Sequence, residues 1–110
     1  YRRNLKEVAA GIIAEHEKRL KVSVNHLGVK KMKTKWGTCN RKAGRVWLNL
    51  ELAKKSREFI EYIIVHEMVH ILERHHNEIF IAYMDKFLPK WRYYKEELNR
   101  GPLREEKWEY

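Results

Sequence analysis

The sequence predicts an α+β fold in which a small antiparallel β-sheet packs on one central, buried helix, with further helices on its flanks. Three observations lead there. Apolar residues recur near the 3.6-residue period over residues 3–20 and alternate with polar ones between residues 22 and 50. Over residues 57–73 they cover nearly the whole circumference of a helix, the mark of a helix buried on all sides.

The first helix carries Leu5, Val8, Ala9, Ile12, Ile13 and Leu20 on one side, with Asn4 as a capping residue near its start. Gly11 lowers its propensity without breaking it. His16 and His26 read as ordinary surface histidines. Val22 and Val24 then alternate with Lys21, Ser23 and Asn25. Thr34, Trp36 and Thr38 share a face, and Val46, Leu48 and Leu50 alternate with Trp47 and Asn49. Asn40–Gly44 is the turn between the last two strands, with Gly44 free to take positive φ. A lone hairpin would be marginal, so the sheet has to pack on helices. Residues 51–55 form a short helical turn and Ser56 caps the central helix. Asn77 caps a further helix from Glu78 to Phe87, which Pro89 breaks. Residues 90–98 form a last short helix, ended by Gly101 and Pro102, and residues 103–110 read as a frayed, charged tail.

With 110 residues, 44% hydrophobic and 12% aromatic, the chain suits one domain spanning residues 1–110. Its start at Tyr1, without a methionine, is compatible with the C-terminal part of a longer protein. No apolar stretch is long enough for a transmembrane helix, and no signal peptide is visible. The lone cysteine, Cys39, excludes an internal disulfide and fits a reducing, cytoplasmic compartment. The net charge of +9 is unevenly spread: residues 18–57 hold 13 Lys or Arg against one acid, Glu51. Such a segment is either a solvated Lys-rich surface or an attraction for nucleic acid.

The central helix contains His66-Glu67-Met68-Val69-His70, an H-E-x-x-H pattern. Residues four apart share a helical face, so two imidazoles can converge on one metal ion, and neutral imidazole suits zinc. Glu67 projects elsewhere, toward the position of a water whose proton it can take. A catalytic zinc commonly has three protein ligands. His76, six residues after His70, can be the third only if the helix stops near Glu73, and the cap at Asn77 says that the chain restarts there. Two histidines and a glutamate in so apolar a helix would be costly without partners. Residue chemistry therefore points to a metal-dependent hydrolase with one Zn2+ per chain.

Two motifs, in this order, resemble the YgjP-like metal-dependent hydrolases, a branch of the zincin-type metallopeptidases. The first is Lys35-Trp36-Gly37-Thr38-Cys39 followed by Val46-Trp47-Leu48-Asn49. The second runs from Tyr62 through His66, Glu67 and His70 to His76 and Phe80. The resemblance covers roughly residues 20–98 and implies a zincin-like fold, His66, His70 and His76 as metal ligands, and Glu67 as general base. It implies a peptide or protein substrate. The sequence departs from the family's pattern at His75, where Asn is frequent, and at Asn77, where Ser or Thr is usual. A longer N-terminal β-rich part, usual in the family, is not present in this sequence.

Other residues have plainer readings. Trp36 is expected in the core and Cys39 as a small buried residue. Asn49 either binds substrate or satisfies a turn. The edge of strand Arg45–Leu50 could hold an extended peptide. Tyr83, Trp91, Tyr93 and Tyr94 suit helix packing, although one tyrosine could donate to an oxyanion. The leading reading is a zinc-dependent peptidase or related amide hydrolase. Competing readings are a nucleic-acid-associated protein, or a protease acting on nucleic-acid-bound substrates, through residues 18–57, and a non-catalytic structural metal site, which would require a fourth ligand.

Overall fold

The chain opens as the helix its apolar period requires. The structure is a computed structural model and describes residues 2–100. Helix α1 spans Arg2–Leu20 and buries Leu5, Ala9, Ile12, Ile13 and Leu20. It starts two residues ahead of Asn4, which lies exposed in the first turn and not at the cap. Arg2 and Arg3, good helix formers, extend the helix backward. His16 departs from the surface role expected of it. It is buried, 2.8 Å from Glu61 Oε2, because it continues the Leu5, Ala9, Ile12 stripe at helical spacing. Lys21, at φ 57°, ends the helix in the left-handed region.

Three strands follow: β1 (His26–Lys30), β2 (Gly37–Asn40) and β3 (Arg45–Asn49). Residues 22–25 do not join the sheet; the Val24 N–H is taken by Glu17 Oε2 at 2.9 Å. The sheet is mixed, in the order β1-β3-β2, and not all antiparallel as expected. Gly37 pairs with Leu48 in the antiparallel β2–β3 hairpin, whereas Leu27 pairs with Val46 in a parallel ladder. Residues 31–36 carry the chain past β3 to the far edge, and Asn49 holds this crossing segment. Its Nδ2 donates to the Met32 and Lys35 carbonyls at 3.1 and 2.7 Å, and its Oδ1 accepts from Met32 N–H and Glu51 N–H. Of the two roles open to Asn49, the structure shows this one, with the side chain fully buried. Because β3 is central, its edge cannot take an added strand, contrary to expectation; the strand beside α2 with an outer edge is β2.

The 3-10 turn Leu50–Lys54 leads to helix α2, Arg57–Leu72, whose residues Ile60 and Tyr62–Val69 are all buried. α1 packs on β1 and α2, and α2 packs on β2 and β3. Trp36 is in this core, as expected. At Gly37 a Cβ would lie 2.9 Å from Ile63 Cγ2 and 3.4 Å from Glu67 Cγ, so glycine lets β2 approach α2 beside Glu67. Helices α3, Glu78–Phe87, and α4, Trp91–Asn99, complete the described chain. The stop expected at Gly101 and Pro102 and the tail at 103–110 lie outside the described residues. No helix among those described is long and apolar enough to cross a membrane.

Candidate active site

Helix α2 ends where the metal chemistry asks it to end. Glu73 is extended, at φ −137° and ψ 114°, and its N–H closes the helix on the Val69 carbonyl at 2.7 Å. Its carboxylate then binds the loop, accepting from His75 N–H and Asn77 Nδ2 at 3.3 Å each. Asn77 Oδ1 accepts the Phe80 N–H at 3.1 Å and starts α3 as its cap. This short return brings His76 back over α2.

His66, His70 and His76 come together, each offering a ring nitrogen within 4.8 Å of the others. The Nε2 atoms of His70 and His76 face each other at 2.8 Å. His66 Nδ1 donates to Glu67 Oε2 at 2.8 Å and His70 Nδ1 donates to the Glu73 carbonyl at 3.2 Å. A proton on each Nδ1 leaves each Nε2 with its lone pair, the tautomer a metal needs. Phe80, fully buried, packs against all three rings, its centroid 5.2, 4.6 and 5.0 Å from those of His66, His70 and His76. His75 is exposed and stands outside the cluster.

Burial is the main electrostatic force on the site. It holds His66 well below the ordinary imidazole range, helped by the charge on His76, and brings His70 down to about 4, helped by His66. Both rings are therefore neutral at pH 7. Burial also raises Glu67 to about 7, against the opposing influence of His70, His76 and Lys35. Cys39 is half-buried, and burial followed by the Glu67 charge raises its thiol to about 12, so it stays protonated. Three imidazoles facing one point form a donor set that fits a borderline-soft divalent ion such as zinc.

The cluster opens on one side into a groove of about 650 Å³, lined by Cys39, Asn40, Arg41, Lys42, Glu67, His70 and Arg74. The cationic residues of this groove are not singled out by the sequence, which puts Arg41 and Lys42 in the basic segment 18–57 and Arg74 outside it; their position in the β2–β3 turn and just after the H-E-x-x-H helix is the available signal. Tyr83, Tyr93 and Tyr94 do not line the groove. Tyr94 packs on Phe59 and Tyr62, with centroids 5.2 and 6.2 Å apart, and Tyr83 stacks on Phe87 at 6.3 Å.

A family model described as YgjP-like, metallopeptidase domain, matches residues 1–101. The chain is similar in structure to the metallopeptidase zymogen abylysin of Pyrococcus abyssi. The TM-score is 0.76 at 15% identity, over 84% of this chain and 92% of that one. It is also similar to the metallopeptidase zymogen jannalysin of Methanocaldococcus jannaschii. There the TM-score is 0.71 at 21% identity, over 84% of this chain and 94% of that one. At these identities the likeness speaks for a shared fold. No protein of curated function matches the chain.

Proposed function

Because this chain belongs to the YgjP-like metallopeptidase family, a family of metal-dependent peptidases, we propose that it is a zinc-dependent peptidase with His66, His70 and His76 as metal ligands and Glu67 as general base. One observation carries this reading. Three imidazoles, those of His66 and His70 with Nδ1 tied to an acceptor, converge beside a groove lined by His70 and by the carboxyl of Glu67.

A zinc ion held there would supply Lewis acidity, acidifying water and polarising the scissile carbonyl. The chain's own residues do the rest. Glu73, through its carbonyl, and Glu67, through Oε2, orient His70 and His66 and keep their protons on Nδ1. Glu67 takes the proton of the attacking water and returns it to the leaving amine. Phe80 keeps the far side of the imidazoles dry. The open groove suits a catalytic site receiving a peptide or protein, and not a closed structural one.

Protein purified without chelator should carry about one zinc per chain, as a three-histidine catalytic site would. The His66→Ala, His70→Ala double variant should carry none; full metal content in that variant would refute the ligand set. On a panel of quenched peptides, Glu67→Gln should lose about 10²–10⁴-fold in turnover at unchanged zinc content. Equal cleavage by the variant and the parent would refute Glu67 as the base.

A further inference from the structure

The groove beside Glu67 and His70 has a wall of one charge. Arg41 and Lys42 reach it from the β2–β3 turn and Arg74 from the loop after α2. All three are exposed. Among the described residues none of them joins an ion pair, although Lys54, Arg57, Arg92 and Arg100 each do. Among the described residues Glu67 is the single acid lining the groove, and its Oε2 already accepts from His66. Arg41 is steered by a 3.4 Å bond from its guanidinium to the Ile71 carbonyl, near the C-terminal end of α2. Two sequence-distant segments thus bring three cations to the same groove as the candidate base and supply no counter-ion.

A cleft lined by one sign of charge concentrates the opposite charge. Guanidinium groups bind carboxylates through paired, charge-assisted hydrogen bonds. Resting on the peptidase reading, we infer that the groove selects substrates with an Asp or Glu side chain next to the scissile bond, and that Arg41, Lys42 and Arg74 hold its carboxylate. A short acidic side chain matches three cations gathered at one groove. A nucleic-acid backbone would instead need cations repeated along an extended track.

The test separates this inference from the reading it rests on. Zinc-loaded Glu67→Gln protein is titrated with fluorescent peptides identical except for a central Glu, Gln or Lys. The Glu peptide should bind roughly fivefold to tenfold tighter than the Gln peptide at low salt, and the Lys peptide more weakly still. Added salt should shrink the preference. Arg41→Glu, Arg74→Glu should reverse it. Lys42→Glu, Arg74→Glu should do the same while keeping the Arg41 bond to Ile71, so misfolding of one pair, seen by circular dichroism, leaves the other to decide. Equal affinity for Glu and Gln peptides, or a preference that survives the charge reversals, overturns the inference. So does a short DNA duplex that displaces the Glu peptide and binds tighter at physiological salt. Wild-type zinc protein is then given a mixed peptide library. Cleavage with no enrichment of Asp or Glu beside the cut sinks the acidic preference and leaves the peptidase intact. Acid-selective binding with no cleavage of any peptide sinks the peptidase reading and leaves the groove's selectivity standing.

Discussion

Glu67 has two neighbours to satisfy, the water it deprotonates and the ring of His66, and these can be separated by mutation. Glutamine keeps an oxygen that can accept from His66 Nδ1, 2.8 Å from the carboxylate in the parent, so zinc should stay. Alanine removes that acceptor as well. Glu67→Ala should therefore weaken zinc binding by about 10–100-fold, the usual effect of losing a partner behind a ligand. Competition with a chromogenic chelator measures it, and equal zinc affinity in the two variants would mean that the His66 bond does not orient the ring. Asn49 is the second residue whose loss should show. It makes four hydrogen bonds while fully buried, and Asn49→Ala strands the Met32 and Lys35 carbonyls. The expected cost is about 2–4 kcal/mol in urea unfolding. A cost below about 1 kcal/mol, no more than one ordinary hydrogen bond, would contradict its role as the tie across the sheet.

At the scale of elements, the joints matter more than the helices. Asp85 near the end of α3 accepts from Trp91 Nε1 at 2.8 Å and from the Arg92 guanidinium at 2.7 Å, joining α3 to α4 across Pro89. The bond from Trp91, then that from Arg92, holds the Asp85 carboxyl below its usual range. A carboxyl depressed in the folded state stabilises the fold above its unfolded pKa and loses that contribution as pH falls through the lower, folded value. Asp85→Asn should therefore lower the Tm at neutral pH, with the gap to the parent closing as the solution is acidified below the carboxylate range. A gap that stays constant from neutral pH into acid would remove the charge from the account. The α2–α3 joint works by the same means, with Glu73 tying down His75 and Asn77 so that His76 can return over the cluster.

Over the whole molecule, the core and the proposed metal centre share α2, so metal and stability are linked. An ion that binds only the folded state raises stability by about 2.7 kcal/mol at a hundredfold excess over its Kd. Zinc should raise the Tm of metal-stripped protein and should leave that of the His66→Ala, His70→Ala variant unchanged. An equal shift in both would place the stabilising ion elsewhere. The basic surface belongs to this scale too. Lys30, Lys31, Lys33, Lys35, Arg41, Lys42, Arg45 and Lys54 are all exposed. Lys18 and Arg19 at the end of α1 and Arg57 at the start of α2 are exposed too, so the cations are spread over several elements and no one helix gathers them for a groove of DNA. DNA binding should be weak, indifferent to sequence and steeply reduced by salt. Tight, sequence-selective binding at physiological salt would contradict this.

What could be read from the residues alone was whatever depends on neighbours in the chain. The helical period placed α1 and α2, the Asn77 cap placed α3 from Glu78 to Phe87, and the i, i+4 spacing put His66 and His70 on one face. The same reasoning required the break at Glu73 that the structure contains. Alternation located β3 but carried no information on strand order, because parallel and antiparallel strands share a period of two. The mixed sheet is decided by the crossing segment and its ties to Asn49, contacts 14 to 17 residues apart. His16 was misjudged by its type, when its place on the apolar stripe decides its burial. The cationic groove needed the fold most of all: Arg41 and Arg74 meet only when the β2–β3 turn lies beside the end of α2, as the close approach at Gly37 allows. Periodicity and capping act within a few residues and leave their mark in the sequence, whereas strand order and groove charge arise from packing between distant segments.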